Sequence, residues 1–194
     1  MSRNTTATVS VTPVLTGTTP VDLSAAFNAT GIYHDGASFA PEESLDEDGF
    51  SFSAEALGTD QVGDGVVFKL GPANAPDIVT GQTVTLPAGN FTSLKLLALG
   101  VNGDQETQTF TVTYADGTSS SFTRSLSDWS SPRNFPGESV AFASPYRIIG
   151  DGSKDTRTFY GYAYSFDLDK SKAVRSLSLP SNRDVVVLAA TLVP

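Results

Sequence analysis

Apolar residues recur at every second position along most of this chain, in short runs that turn residues cut apart. Phe110, Val112 and Tyr114 alternate with Thr109, Thr111 and Thr113, and Phe50 and Phe52 alternate with Ser51 and Ser53. Side chains two apart share one face of a strand, so the pattern predicts half-buried strands. Val66–Leu70 follows a Gly-rich turn and predicts another. Leu94–Val101 (LKLLALGV) and Val185–Val193 (VVVLAATLV) are apolar on both faces and predict central strands. Tyr146–Ile149, Thr158–Asp167 and Val174–Leu179 complete the set. Asp116-Gly117 tolerates positive φ and predicts a type I′ hairpin to the strand Ser119–Leu126. No long amphipathic helix is visible, only single turns at Ser24–Phe27 and Ala54–Leu57. Many short strands joined by turns predict an all-β fold, an antiparallel β-sandwich of jelly-roll type.

The 194 residues suffice for one domain. Residues 1–20 are rich in Thr, Val and Pro and nearly uncharged. They predict a linker or a peripheral N-terminal strand over Thr8–Val14, with the sandwich spanning 21–194. Met1 is the only methionine, and the residues behind it lack the apolar centre of a signal peptide. The expectation is a segment of a longer parent chain with Met1 added.

A net charge of −9 disfavours nucleic acid, whose binding rests on Lys and Arg. No apolar run approaches the ~18 residues of a membrane-spanning helix. The absence of cysteine removes disulfides, thiolate zinc sites and cysteine nucleophiles. With one histidine, His34, and no nucleophile elbow or phosphate-cradling glycine loop, the common catalytic constellations are missing. Paired carboxylates among 21 acidic residues leave a small glycosidase or lyase open as the enzymatic alternative.

Four segments carry candidate binding chemistry. Asp128-Trp129 sits just past a strand end, where an indole can stack on a sugar face and a carboxylate can accept its hydroxyls. Tyr33-His34-Asp35 offers a ring, an imidazole and a carboxylate in one loop. Arg147, beside Tyr146, can reach a ligand or pair with Asp128. Asp46, Glu47 and Asp48 cluster before Gly49 and are candidate Ca²⁺ ligands, although the spacing is not that of an EF-hand. The period-two stripe Tyr160, Tyr162, Tyr164 and Phe166 reads as core packing or as a binding platform.

Five segments also carry a family resemblance: PVDLSAAFNATGIYHDG, LDEDGFSFSAEAL, GQTVTLPAGNFTSLKLLALGVNG, TVTYADGTSSSFTRSLSDW and FYGYAYSFDLDKSKAVRSLSLPSNRDVVVLAATL. Together, over Val21 to Val193, they resemble an all-β accessory domain near the C-terminus of secreted bacterial and fungal hydrolases. That domain is similar to the galactose-binding-like jelly rolls that include many carbohydrate-binding modules. The resemblance implies a jelly-roll sandwich, an extracellular location and attachment to an enzyme, and does not imply a catalytic role; with the aromatic-polar loops it makes a carbohydrate partner the leading expectation. It also implies a structural Ca²⁺, which would fall at Asp46–Gly49. A sandwich that docks or stabilises a neighbouring catalytic domain is the alternative role.

Overall fold

The computed structural model describes residues 13–194. In chain order its strands are β1 (Thr19–Pro20), β2 (Ile32–Tyr33), β3 (Phe50–Ser53), β4 (Asp60–Gly63), β5 (Val66–Lys69), β6 (Thr83–Thr85), β7 (Ser93–Gly100) and β8 (Gln105–Tyr114). They continue with β9 (Ser119–Leu126), β10 (Glu138–Ser144), β11 (Arg147–Ile149), β12 (Lys154–Asp155), β13 (Phe159–Asp167), β14 (Val174–Ser178) and β15 (Val185–Val193). The single-turn helix α1 (Ala54–Leu57) and a 3-10 turn at Ser24–Ala26 fall where short turns were expected.

Two antiparallel sheets form the sandwich, with strand orders β1-β15-β7-β13-β10 and β6-β14-β8-β9. Period two decides how they face each other. The even positions of β13 point at the second sheet, where the Phe166 ring lies 5.4 Å from Phe110 and 5.1 Å from Phe122. The stripe Tyr160, Tyr162, Tyr164 and Phe166 is therefore core packing. Odd positions face the other way. The Phe142 ring covers Gly161 so closely that a Cβ there would come within 2.2 Å of it. On the same side, the Thr191 hydroxyl donates to the Val67 carbonyl of the β4–β5 hairpin. The five-stranded sheet is thus a middle layer covered on both faces. This explains why β7 and β15, which it contains, are apolar on both faces.

A short third sheet, β12-β11-β3-β2, covers the end of the molecule where Phe52 meets Phe142. Its strand β2 runs parallel to β3 and is anchored by the wholly buried Asp77. Asp77 accepts the amides of Gly31 (2.6 Å) and Ile32 (3.0 Å), and burial pushes its pKa up to about 8.

Two expectations need comment. The β8–β9 hairpin forms, but not through a type I′ turn. Gly117 alone has positive φ, and its amide bonds back to the Tyr114 carbonyl. This is the three-residue loop of a type I turn followed by a left-handed residue. Asp116 serves instead as an acceptor, taking the amide and hydroxyl of Thr118. The strand expected over Thr8–Val14 falls mostly outside the described residues. The peripheral strand that is described is β1, paired with Leu192 and Thr191 of β15.

Candidate functional site

The short sheet sorts its side chains by register. In β11, Arg147 lies opposite both Phe52 of β3 and Asp155 of β12, while Ile148 lies opposite Ser51 and Lys154. Cross-strand partners share a face. One face therefore carries Phe50, Phe52, Arg147 and Asp155, and the other carries Ser51, Ser53, Ile148 and Lys154.

Arg147 is the centre of the first face and is 9% exposed. Its guanidinium carbon sits 3.5 Å over the Phe50 ring and 4.6 Å from that of Phe159, a rigid cation–π mounting. Nε donates to Asp155 Oδ2 at 3.0 Å. Asp155 also accepts Arg157 Nε at 3.0 Å and Nη2 at 2.6 Å. Arg157, with help from Arg147, holds the Asp155 pKa down to about 2 against the opposing effect of burial. Burial lowers the Arg147 pKa and Asp155 pulls it back up. Among the described residues, Arg147 Nη1 and Nη2 have no hydrogen-bond partner. Nη1 makes a long ion pair with Asp46 Oδ2 at 3.9 Å.

These two nitrogens belong to a residue that lines a pocket of about 230 Å³. Five chain segments meet there: Asp46 and Asp48 before β3, Asn102 in the β7–β8 turn, Asp128–Ser130 after β9, Arg147 on β11 and Arg157 beyond β12. Most of the wall is fixed. Asp46 Oδ1 accepts the amides of Asp48 (3.0 Å) and Phe50 (3.1 Å) and the Ser44 hydroxyl, and burial raises its pKa. Asp128 accepts the amides of Ser130 and Gly103, each at 2.8 Å. Asn102 ties the Asp46 carbonyl to Asp184. The exposed carboxylate of Asp48 accepts no hydrogen bond among the described residues. The residues lining the pocket therefore include a fixed guanidinium and acceptors that take no hydrogen bond within the described residues, on Asp48, Asp46 Oδ2 and Asn102 Oδ1, a set that suits a hydroxyl-rich ligand.

The structure brings together Asp46, Asp48, Asp128, Trp129 and Arg147 from the sequence candidates, and it changes the role of several. Trp129 is 2% exposed, edge-on to Phe52 and tilted on Phe159, with centroids at 5.0 and 4.9 Å. Its ring is core, so it offers no open face for a sugar. Asp128 fixes its own loop. Arg147 pairs with Asp155 rather than Asp128.

Tyr33, His34 and Asp35 do not form a joint site. Tyr33 stacks on Phe39 at 4.1 Å and donates to the Glu43 carbonyl. His34 Nδ1 pairs with Glu55 at 2.8 Å. Asp35 belongs to the sheet's second face, with Ser53, Tyr146 and Lys154.

The three acidic neighbours also diverge. Asp46 is held inside its loop, Glu47 pairs with Arg183 at 2.9 Å, and Asp48 faces the pocket. Among the described residues no three His, Cys, Asp or Glu side chains gather as a metal cluster would. The expected convergence of Asp46, Glu47 and Asp48 on one Ca²⁺ does not fit this divergence.

Phe50, Asn102, Ser130, Asp155 and Arg157 were missed from sequence. Asp155 had a usable signal: Gly150-Asp151-Gly152 is a turn that folds Lys154-Asp155 back on Arg147-Ile148.

The layers and the loop-built pocket define a β-sandwich domain with a polar site at one end. Residues 17–194 match the profile of the AziU2-like beta-sandwich domain, and the chain belongs to that family. No curated protein matches it.

Proposed function

We propose that the chain is a non-catalytic carbohydrate-binding module that serves a larger secreted hydrolase, and that it binds through the Arg147 pocket. One observation carries the reading. A buried arginine, locked by two aromatic rings and Asp155, keeps both outer nitrogens without hydrogen-bond partners beside a pocket of carboxylates and an amide. Neither nitrogen is sealed from solvent, so hydroxyls of a ligand can take the place of water there. Sugar hydroxyls both accept from a guanidinium and donate to a carboxylate. Asp46 and Asp128 are held by loop amides, which suits holding a ligand better than cycling protons between two carboxylates. The secreted hydrolase host rests on the resemblance of the five segments alone.

A glycan array followed by calorimetry tests the reading. At least one neutral glycan binds, and Arg147→Lys weakens it about tenfold or more, because lysine cannot present a planar fork. Absence of binding across plant, fungal and bacterial glycans overturns it.

A second reading has its own observation. Val14, Leu15, Val62 and Val140 are the exposed large apolar side chains among the described residues. All belong to segments meeting at the β4–β5 hairpin, where the Leu15 amide bonds Gly65 and Gly63 abuts Ala141. Exposed apolar side chains on segments around one hairpin suit docking against a neighbouring domain. On that reading, Val62→Ser with Val140→Ser frees the module from its host and leaves glycan binding intact.

A further inference from the structure

We infer that the Arg147 pocket takes one terminal, uncharged sugar ring and holds it by two vicinal hydroxyls. This rests on the carbohydrate reading of the same pocket and goes further in naming the unit and its charge.

Size is the first argument. At about 230 Å³ the pocket lies below the range typical of drug-sized ligands, roughly 300 Å³ and upward. It is a small open depression lined by five segments, with room for one ring, and it suits the end of a glycan better than several consecutive units.

Charge is the second argument. A guanidinium fork matches two neighbouring oxygens, and a carboxylate would satisfy it as well as a diol. The surroundings decide between them. Two guanidinium groups, Arg147 and Arg157, already share Asp155, and Asp46, Asp48 and Asp128 also line the wall. A uronate, sulfate or phosphate would add negative charge to a site where carboxylates outnumber cations. A hydroxyl pair adds none.

The third argument is the pairing of a donor fork with a free acceptor. Nη1 and Nη2 donate to the oxygens of two adjacent hydroxyls, and a hydroxyl hydrogen then goes to Asp48. Two deoxygenated carbons at those positions would displace water from the fork and offer it no acceptor in return. Sites built to hydrogen-bond a hydroxyl reject analogues lacking it far more strongly than apolar pockets reject a missing methylene.

The experiment is isothermal calorimetry of the whole chain. Its probes are neutral methyl glycosides of common hexoses, their uronic acid counterparts, deoxy analogues and an oligosaccharide series of rising length. One neutral methyl glycoside should bind within about threefold of the oligosaccharides that end in it. Its uronate and the analogue lacking either hydroxyl of the pair should bind at least about tenfold more weakly. Asp48→Asn should cut affinity while leaving the melting temperature unchanged, so it serves even where Arg147→Lys unfolds the domain. Affinity that climbs with every added sugar unit, or a uronate that binds more tightly than its neutral parent, overturns this inference and leaves the carbohydrate reading standing. Failure of every glycan, long or short, brings down both.

Discussion

The two faces of the short sheet carry two polar clusters built from neighbouring residues, and they have opposite characters. On one face, Asp35 takes the Ser53 hydroxyl at 2.6 Å, the Tyr146 hydroxyl at 2.9 Å and the Lys154 ammonium, while Ser53 also caps α1. Each of these groups has a partner within the chain, so the cluster fastens β3, β11 and β12 to the loop after β2. On the other face, Arg147 is as firmly mounted but leaves two nitrogens without hydrogen-bond partners, and Asp48 beside it is free. A polar network that satisfies itself stabilises a fold. One that is rigid and incompletely paired is preorganised for something outside the chain.

The largest effect separates core from site. If Trp129 is packing, as its contacts with Phe52 and Phe159 indicate, Trp129→Ala costs about 3–5 kcal/mol in urea denaturation. A marginal loss of stability with a selective loss of glycan binding would return the indole to the ligand and blur the contrast between the faces. Asp35→Ala comes next. It leaves Ser53, Tyr146 and Lys154 without their common acceptor and costs roughly 1–3 kcal/mol, reduced by the partial exposure of the group. Glycan affinity per folded molecule should not change. A change would mean that the clusters are coupled through the sheet.

The faces of the longer strands and the β8–β9 hairpin were legible because alternation and turn chemistry are local: each strand announces which of its residues share a face. The two all-apolar strands were legible for the same reason, since only a strand covered on both sides tolerates them. What sequence could not supply was burial in the third dimension. Asp128-Trp129 looks like an exposed loop pair, yet Trp129 turns inward because Phe52 and Phe159, from strands 77 positions before and 30 after in the numbering, close over it. The Tyr33-His34-Asp35 triplet failed differently. Strand β2 ends at Tyr33 and the chain turns at once, the Ala37 amide bonding the His34 carbonyl, so the three side chains leave in different directions. Arg147 stood among the candidates because it lies beside Tyr146 at a strand start. Its aromatic clamp and Arg157 did not, because they arrive through long-range packing.

Acidity and alkalinity should act on opposite sides of the sheet's framework. The folded Asp77 holds its proton up to about pH 8, well above the unfolded value of 3.8, so its contribution to stability grows as pH falls from 8 towards 4. The folded Asp155 titrates near 2, below its unfolded value of 3.8. Its contribution is present above pH 4 and is lost as pH falls towards 2. The melting temperature should therefore peak on the acid side of neutrality. Asp155→Asn should flatten the acid limb and weaken glycan binding by loosening Arg147. An acid limb unchanged in that variant would show that Asp155 does not hold the arginine in solution.

The smallest effect is the sharpest test of the face assignment. Lys154 and Asp155 are adjacent, and register alone sends them to opposite sides, Lys154 to Asp35 and Asp155 to Arg147. Lys154 is partly exposed, and ion pairs of that kind contribute about 0–1 kcal/mol. Lys154→Gln should lower stability by no more than that and leave glycan affinity and its salt dependence as they were. Asp155→Asn, one position further along, should lower affinity because it removes the charge that holds Arg147 Nε and leaves Arg147 and Arg157 a single neutral acceptor. If both variants weaken the ligand equally, the pocket is reading the charge of the whole strand end. If only Asp155→Asn does, the ligand is read by a guanidinium whose orientation depends on a single carboxylate.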